Sequence, residues 1–408
     1  MPANPSTAND WRSHFPALHQ RVGDRPLAYL DTAATSQRPV QVINAIADFY
    51  RKDNANPSGA LHALARRAND RYEGARKTVG EFIGARDPLE VVFTRGTTEA
   101  INLVASSWCG ANLKPGDEIL VGVAEHSSNM LPWQMAAKRN GAVIRYFDID
   151  DDGHLRLDDF DAKLSRRTRL VAFSHVSNVL GMINPARELT IRAHAAGATV
   201  LIDGAQSAPH FALDVHDIGC DFLAFSGHKM CGPMGCGVLW GKRELLEAMP
   251  PYQAGSNMAH DVDIDSMHAS SGALKFGAGT PNVADAVGLA AAATFLRGIG
   301  LDALWKHEQS ITRHMLDQLQ DIPKLHLLGT TTPEAKIAVF AFTIEGRSAL
   351  DVAQALDREG IAVRAGDLAS LPLLRRLGTT AAVRASCYLY TTTDEVDALA
   401  HALQRIAR

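Results

Sequence analysis

The chain is poor in cysteine, has no excess of charge of either sign, and contains no long apolar run. Cys109, Cys220, Cys231, Cys236 and Cys387 are five among 408 residues, an odd number too sparse for a disulfide framework. In a reducing compartment such thiols are either buried small hydrophobes or chemistry. Lys plus Arg number 41 against 45 for Asp plus Glu, a net charge of −4. That balance excludes the basic footprint of a nucleic-acid binder and the polybasic stripe of a membrane-surface protein. No stretch approaches the ~18 apolar residues of a membrane span, and Met1-Pro2-Ala3-Asn4-Pro5 opens without the basic-then-apolar layout of a secretion signal. The expected partner is therefore a small molecule and the expected location the cytoplasm. Repeats, low-complexity tracts and long linkers are also missing. What remains is a globular composition, 46% hydrophobic and 21% charged. One core rarely exceeds ~250 to 300 residues, so the length predicts one large domain and one smaller.

Short β-branched runs alternate with helical patterns between about residues 90 and 245, the texture of an α/β fold with a mostly parallel sheet. The runs are Glu90 to Thr94, Glu118 to Val123, Val143 to Phe147, Arg169 to Phe173, Thr199 to Asp203, Phe222 to Phe225 and Gly237 to Trp240. Tyr72, Arg76, Val79 and Phe82 keep helical spacing and predict an amphipathic helix over 70–84. Later come two long helical patterns, 285–298 and 302–321, a strand at 337–343, a helix at 347–359, and short strands near Val363 and Val383. Thr392 to Glu395 reads as a capping box opening a final helix that buries Val396, Leu399, Leu403 and Ile406. These later elements predict a smaller α+β domain.

The segment Ser226-Gly227-His228-Lys229-Met230-Cys231-Gly232-Pro233 follows an apolar strand and leads through glycines into another. A lysine there is poorly placed as a solvated charge. It reads as a Schiff-base amine, which must be partly desolvated to be nucleophilic near neutral pH. Asp203 ends an earlier strand, Thr199 to Asp203, at the edge where open α/β sheets bind ligands. A buried acid needs a cation, and a pyridinium nitrogen is one. Lysine and strand-end acid together are what pyridoxal phosphate requires of a protein. Arg95-Gly96-Thr97-Thr98 lies between a strand and a helix and could cradle the phosphate, although Gly-Thr-Thr also caps ordinary helices. Cys231, Cys236 and His228 imitate metal-ligand spacing, but the second cysteine pair is missing and no metal is expected.

From Leu30-Asp31-Thr32-Ala33-Ala34 to Arg384-Ala385-Ser386, the sequence resembles the group II cysteine desulfurases and selenocysteine lyases of the class V aminotransferase superfamily. The resemblance implies pyridoxal phosphate fold type I, with a seven-stranded sheet in a large domain over 26–285 and a small domain over 286–408. A segment over 1–25 would pack with the small domain. It implies that Lys229 carries the cofactor, that Asp203 pairs with the ring nitrogen and Gln206 with the ring hydroxyl, and that His126 stacks on the ring. It further implies that Thr98, Ser226 and His228, with Thr97, hold the phosphate. Thr280 of Ala278-Gly279-Thr280-Pro281-Asn282 would reach the phosphate of a partner subunit, which makes a homodimer with shared active sites. Asn178 and Arg384 match residues that bind the substrate carboxylate, with Arg364 nearby, and the substrate would be a small amino acid.

The sequence departs from the family pattern at two places. The family loop reads roughly Ala-Gly-His-His-Cys-Ala, whereas this chain reads Ala365-Gly366-Asp367-Leu368-Ala369-Ser370, continuing ungapped into Leu371-Pro372-Leu373. Ala369 thus stands where the sulfur-attacking cysteine is expected. Ser58-Gly59 replaces a His-Arg pair after Asn54-Ala55-Asn56. Several outcomes stay open. One is C–S or C–Se cleavage without a protein persulfide, which leaves a sulfur-accepting partner protein unexpected. Others are epimerisation or amino transfer, rescue by Cys231 or Cys387, or a non-catalytic scaffold. Asp367 reads as a loop cap, a selector of a substrate amine, or an acid-base group.

Overall fold

The computed structural model describes residues 8–58 and 61–408. Gly59 of the second departure, and the first residues of the 1–25 segment, lie outside this set.

Seven strands form the large sheet: β1 (Val91–Thr94), β2 (Glu118–Gly122), β3 (Val143–Phe147), β4 (Thr168–Ser174), β5 (Thr199–Asp203), β6 (Phe222–Ser226) and β7 (Gly237–Gly241). Their order is β1-β7-β6-β5-β4-β2-β3, and only β7 runs antiparallel to its neighbours. Strands β2, β6 and β7 are buried at every residue, as helices covering both faces require, while β3 at the edge alternates exposed and sheltered positions.

The pleat assigns successive side chains to opposite cores. On one face lie Val171, Phe173, Val200, Ile202, Leu223 and Phe225. On the other lie Leu170, Ala172, Leu201, Phe222 and Ala224, against Ile101, Val104 and Trp108 of helix α1 (Thr97–Asn112). Carried to the strand ends, this parity puts Ser174, Asp203 and Ser226 on the α1 face, all at the carboxyl edge.

A second, four-stranded antiparallel sheet is built from β8 (Leu325–Leu328), β9 (Val339–Ile344), β10 (Arg364–Gly366) and β11 (Ala382–Ser386), in the order β8-β9-β11-β10. Beside it Ala28–Tyr29 pairs in parallel with Ile361–Ala362, so the chain on either side of Val363 serves two different sheets. Strand β8 is absent from the periodicity, because its Leu325, Leu327 and Leu328 are only half-buried.

The long helices run Val283–Ile299 and Leu301–Leu319, broken at Gly300, whose φ of 90° does not continue a helix. The helix expected over 70–84 spans Ala63–Phe82. Its first turns carry only the small apolar residues Ala65 and Ala68 on the buried side, too weak a pattern to register, and the His62 ring caps it by accepting the Ala65 N–H. The final helix, Thr393–Ile406, has the expected capping box. Near the amino terminus Trp11 meets His307 edge-on and Phe15 meets Tyr390, while Arg12 pairs with Glu395. No single helix among the described residues is long and apolar enough to cross a membrane.

Candidate active site

The carboxyl edge of the large sheet opens into a pocket of about 470 Å³, walled on its far side by β10 and β11. Lys229 follows β6 by one short turn, and its amine projects into this space near Asp203. Burial, reinforced by the Arg384 charge, lowers the Lys229 amine to about 8, while Asp203 opposes the shift. Asp203 is itself buried, accepts only the Ala205 N–H among the described residues, and is raised above the usual carboxylate range by desolvation.

Close backbone approach sets the turn before α1. Gly237 of β7 sits so near that a Cβ would lie 2.5 Å from the Cα of Gly96, and Gly96 itself has φ 154°. Only glycines allow this, and the result locks the helix start onto β6: the Thr97 N–H donates to Ser226 Oγ at 2.8 Å, with the two hydroxyls 2.7 Å apart. Thr98 Oγ1 meets Ser128 Oγ at 2.8 Å. His228 Nδ1 lies 3.3 Å from Thr35 Oγ1, and burial beside Lys229 holds this ring near 4, hence neutral. An anion would meet hydroxyls, a neutral imidazole and a positive helix end here.

His126 follows β2 and accepts the Ser128 N–H on Nδ1; burial first, then Lys229 and Arg384, lower it to about 4. Below it, Glu125 is sealed from solvent and accepts three hydrogen bonds, from the Ser174 N–H, the Ser174 hydroxyl and Asn129 Nδ2. Desolvation nonetheless lifts it to about 7. Gln206 donates to the Ala33 carbonyl, and its Oε1 is buried with no partner.

On the opposite wall Arg384 donates to the Asn178 carbonyl at 2.8 Å and reaches Asp31 at 3.4 Å, while its Nε is buried without a partner. Arg364 grips Asp31 through Nε and Nη2, at 2.7 Å for the shorter contact. Asn178 turns its amide to the neighbouring loop, donating to Leu368 O and accepting from Ser370 Oγ. Asp367 lines the pocket beside Leu368 and Ala369.

The pocket therefore collects Thr97, Thr98, His126, Asn178, Asp203 and Gln206 with Ser226, His228, Lys229, Arg364, Asp367 and Arg384. Thr280 is not among them; it is exposed and receives a hydrogen bond from Asn56 at 3.4 Å. Ser128, Ser174, Glu125 and Asp31 went unassigned in the sequence, although Asp31 sits inside the Leu30–Ala34 motif and Glu125 directly precedes His126. Neither proposed rescue thiol reaches the pocket. Cys231 and Cys387 are sealed in the core, and burial pushes Cys231 up to about 12 and Cys387 well above its ordinary range. No group of His, Cys, Asp and Glu among the described residues could hold a metal ion.

The unmet needs of the pocket match one chemical object. A buried acid wants a cationic N–H, a buried amide oxygen wants a hydroxyl, a desolvated amine wants a carbonyl carbon, and the α1 start wants an anion. Pyridoxal phosphate carries all four complements.

Similarity to known proteins agrees. The class-V aminotransferase family model matches residues 28–399. A "Probable cysteine desulfurase" of Halalkalibacterium halodurans is 47% identical over 398 residues, covering 98% of this chain and 97% of its own. The crystal structure of the Escherichia coli cysteine desulfurase CsdA superposes with a TM-score of 0.89 at 39% identity, covering 98% of both chains. The apo cysteine desulfurase of Thermococcus onnurineus gives 0.94 at 34% identity, covering 99% of each. The chain belongs to the class-V aminotransferase family and is a pyridoxal phosphate-dependent enzyme of the cysteine desulfurase-like type.

Proposed function

We propose that this enzyme expels a sulfur- or selenium-linked group from Cβ of a small L-amino acid without first moving the sulfur onto a protein thiol. The carrying observation is that no cysteine lines the pocket among the described residues and that position 369, our counterpart of the family's loop cysteine, is alanine.

Pyridoxal phosphate, when bound, supplies the electron sink that stabilises negative charge at Cα. The chain's own groups do the rest. Lys229 Nζ would be the amine that anchors the group and, when free, would carry the Cα proton; an amine near 8 is well matched to that task. Asp203 would pair with the ring nitrogen, Gln206 with the ring hydroxyl, and His126, a neutral imidazole, would cover the ring face. Thr97, Thr98, Ser226 and His228 would receive the phosphate. Arg384, already fixed by Asp31 and Asn178, presents its guanidinium to the substrate carboxylate, with Arg364 at the rim. With no nucleophile at the loop, the leaving group departs as its own thiolate or selenolate. The balance is substrate plus water giving pyruvate, ammonium and the free thiol or selenol.

We further infer a homodimer in which Thr280 serves the partner's phosphate, supported by its exposure outside its own pocket. The chain is proposed to act in the cytoplasm.

The test is to incubate the holoenzyme with S-methylcysteine, selenocysteine, cysteine and alanine in deuterated water. Pyruvate with stoichiometric thiol or selenide is expected. Deuterium at Cα without pyruvate would establish epimerisation instead, and a protein persulfide by intact mass would overturn the reading.

A further inference from the structure

Among the pocket's charged groups, Asp367 stands apart. Arg364 and Arg384 both turn to Asp31, at 2.7 and 3.4 Å. The carboxylate of Asp367 has no Lys, Arg or His within ion-pair distance among the described residues, and only its Oδ1 is engaged, by the Ala369 N–H at 3.1 Å. His126, close enough to feel this charge, is a neutral ring and does not cancel it. Asp367 is thus a solvent-exposed carboxylate on the pocket lining, without an ion-pair partner among the described residues, that neither cofactor anchoring nor carboxylate binding uses.

That charge is also held in place. Leu368 and Ala369 have φ of 53° and 54°, two successive left-handed residues without glycine's freedom, which the surroundings must enforce. They do so from three sides. The Ala369 carbonyl accepts the Ser127 N–H at 2.7 Å and the Ser127 hydroxyl at 2.9 Å, the Leu368 carbonyl accepts Asn178 Nδ2 at 3.0 Å, and the Leu368 side chain is buried in the main core. Ser370 then ties its hydroxyl to Asn178 Oδ1. The segment is a fixed wall, and Asp367 a fixed point on it.

Val176, Ala365 and Ala369, which also line the pocket, are apolar. Arg384 and Asp367 line the same pocket and both act on the His126 ring, so a substrate held by its α-carboxylate at Arg384 would share that space with the unpaired carboxylate. We infer that Asp367 is a specificity-determining residue that selects amino acids whose side chain ends in a cation, such as a thioether or disulfide joining the reacting residue to a second amine. This rests on the lyase reading above and narrows its substrate class.

The experiment compares ligands that differ only in the distal amine. Ornithine against norvaline, and lysine against norleucine, are titrated into the holoenzyme, and the change in cofactor absorbance, checked by calorimetry, gives each Kd. Wild type is expected to favour at least one diamino acid about tenfold or more over its neutral twin. Asp367→Asn, whose side-chain carbonyl still accepts the Ala369 N–H and so preserves the turn, should bring the ratio to within about twofold. Asp367→Glu should keep a preference. Equal affinities in wild type, no binding of either diamino acid, or an unchanged ratio in Asp367→Asn would each overturn the assignment. The result is separable from the lyase reading, which is judged by pyruvate release and protein persulfide formation rather than by the binding of diamino acids.

Discussion

Arg384 Nη2 and Asp31 Oδ1 meet at 3.4 Å in the pocket wall, although 353 positions separate them in the chain. The guanidinium is almost fully buried, and desolvation lowers it to about 10, with Asp31 the main opposing influence. Asp31→Asn would leave a buried cation with only the Asn178 carbonyl. Loss of one member of a buried pair costs about 3 to 5 kcal/mol, so the variant should unfold at clearly lower urea concentration. A midpoint equal to wild type would show that the pair is not important for stability.

Cofactor capture should report the Lys229 amine. The neutral amine is the nucleophile, and burial brings it down to about 8 from 10.5. The rate at which apoprotein takes up pyridoxal phosphate should therefore climb about tenfold per pH unit below 8 and level off above it. A rate still climbing beyond pH 9.5 would mean an ordinary lysine. Lys229→Ala should lack the cofactor's visible-edge absorbance.

The thiols should be inert in the native state. All five cysteines are buried. Iodoacetamide at pH 8 should label none of them in folded holoenzyme and all of them in urea, and neither Cys231→Ala nor Cys387→Ala should abolish turnover. Labelling of either residue in native protein, with matching loss of activity, would restore a thiol mechanism.

Lys336 gives a pH-dependent prediction away from the site. Its side chain is buried, with Nζ 3.4 Å from the Thr330 carbonyl and 4.6 Å from the Phe340 ring centre, and desolvation lowers it to about 7. Below pH 7 both folded and unfolded chains carry the proton, and the burial penalty is fully present. Between 7 and 10.5 the folded chain has released it while the unfolded chain keeps it, so stability rises with pH. Lys336→Met should melt higher than wild type at pH 6, with the gap closing toward pH 10. A constant gap across that range would mean that Lys336 is not the titrating group.

What the sequence made legible follows from how strongly each residue's surroundings constrain it. The central large-sheet strands stood out because burial on both faces demands apolar runs, the edge strand β3 because its residues are β-branched and aromatic, and Asp203 and Lys229 because a charge beside an apolar run is anomalous. Strand β8 was illegible because its leucines are half-exposed, and the first turns of the 63–82 helix because alanine is too small to mark a face. Asp31, Glu125 and Ser174 were missed for a different reason. Their importance comes from partners brought near only by the topology: two arginines from the second sheet for Asp31, and a neighbouring strand end for the other two. Asp367 could be read as a cap, and it is one through Oδ1, but its lack of a counter-ion appears only when both nearby arginines are seen turned to Asp31.

The parallel pairing of Ala28–Tyr29 with Ile361–Ala362 bears on how the protein is made. A ribosome adds roughly 5 to 20 residues per second, so the first partner leaves the tunnel tens of seconds before the second exists. Through that interval Leu30 and its apolar neighbours have no strand to pair with, and neither arginine for Asp31 has been synthesised. The large sheet can assemble meanwhile, but the cofactor pocket closes only when nearly the whole chain has emerged. Nascent chains stalled before residue 361 should therefore be protease-sensitive at their amino-terminal end and unable to retain pyridoxal phosphate.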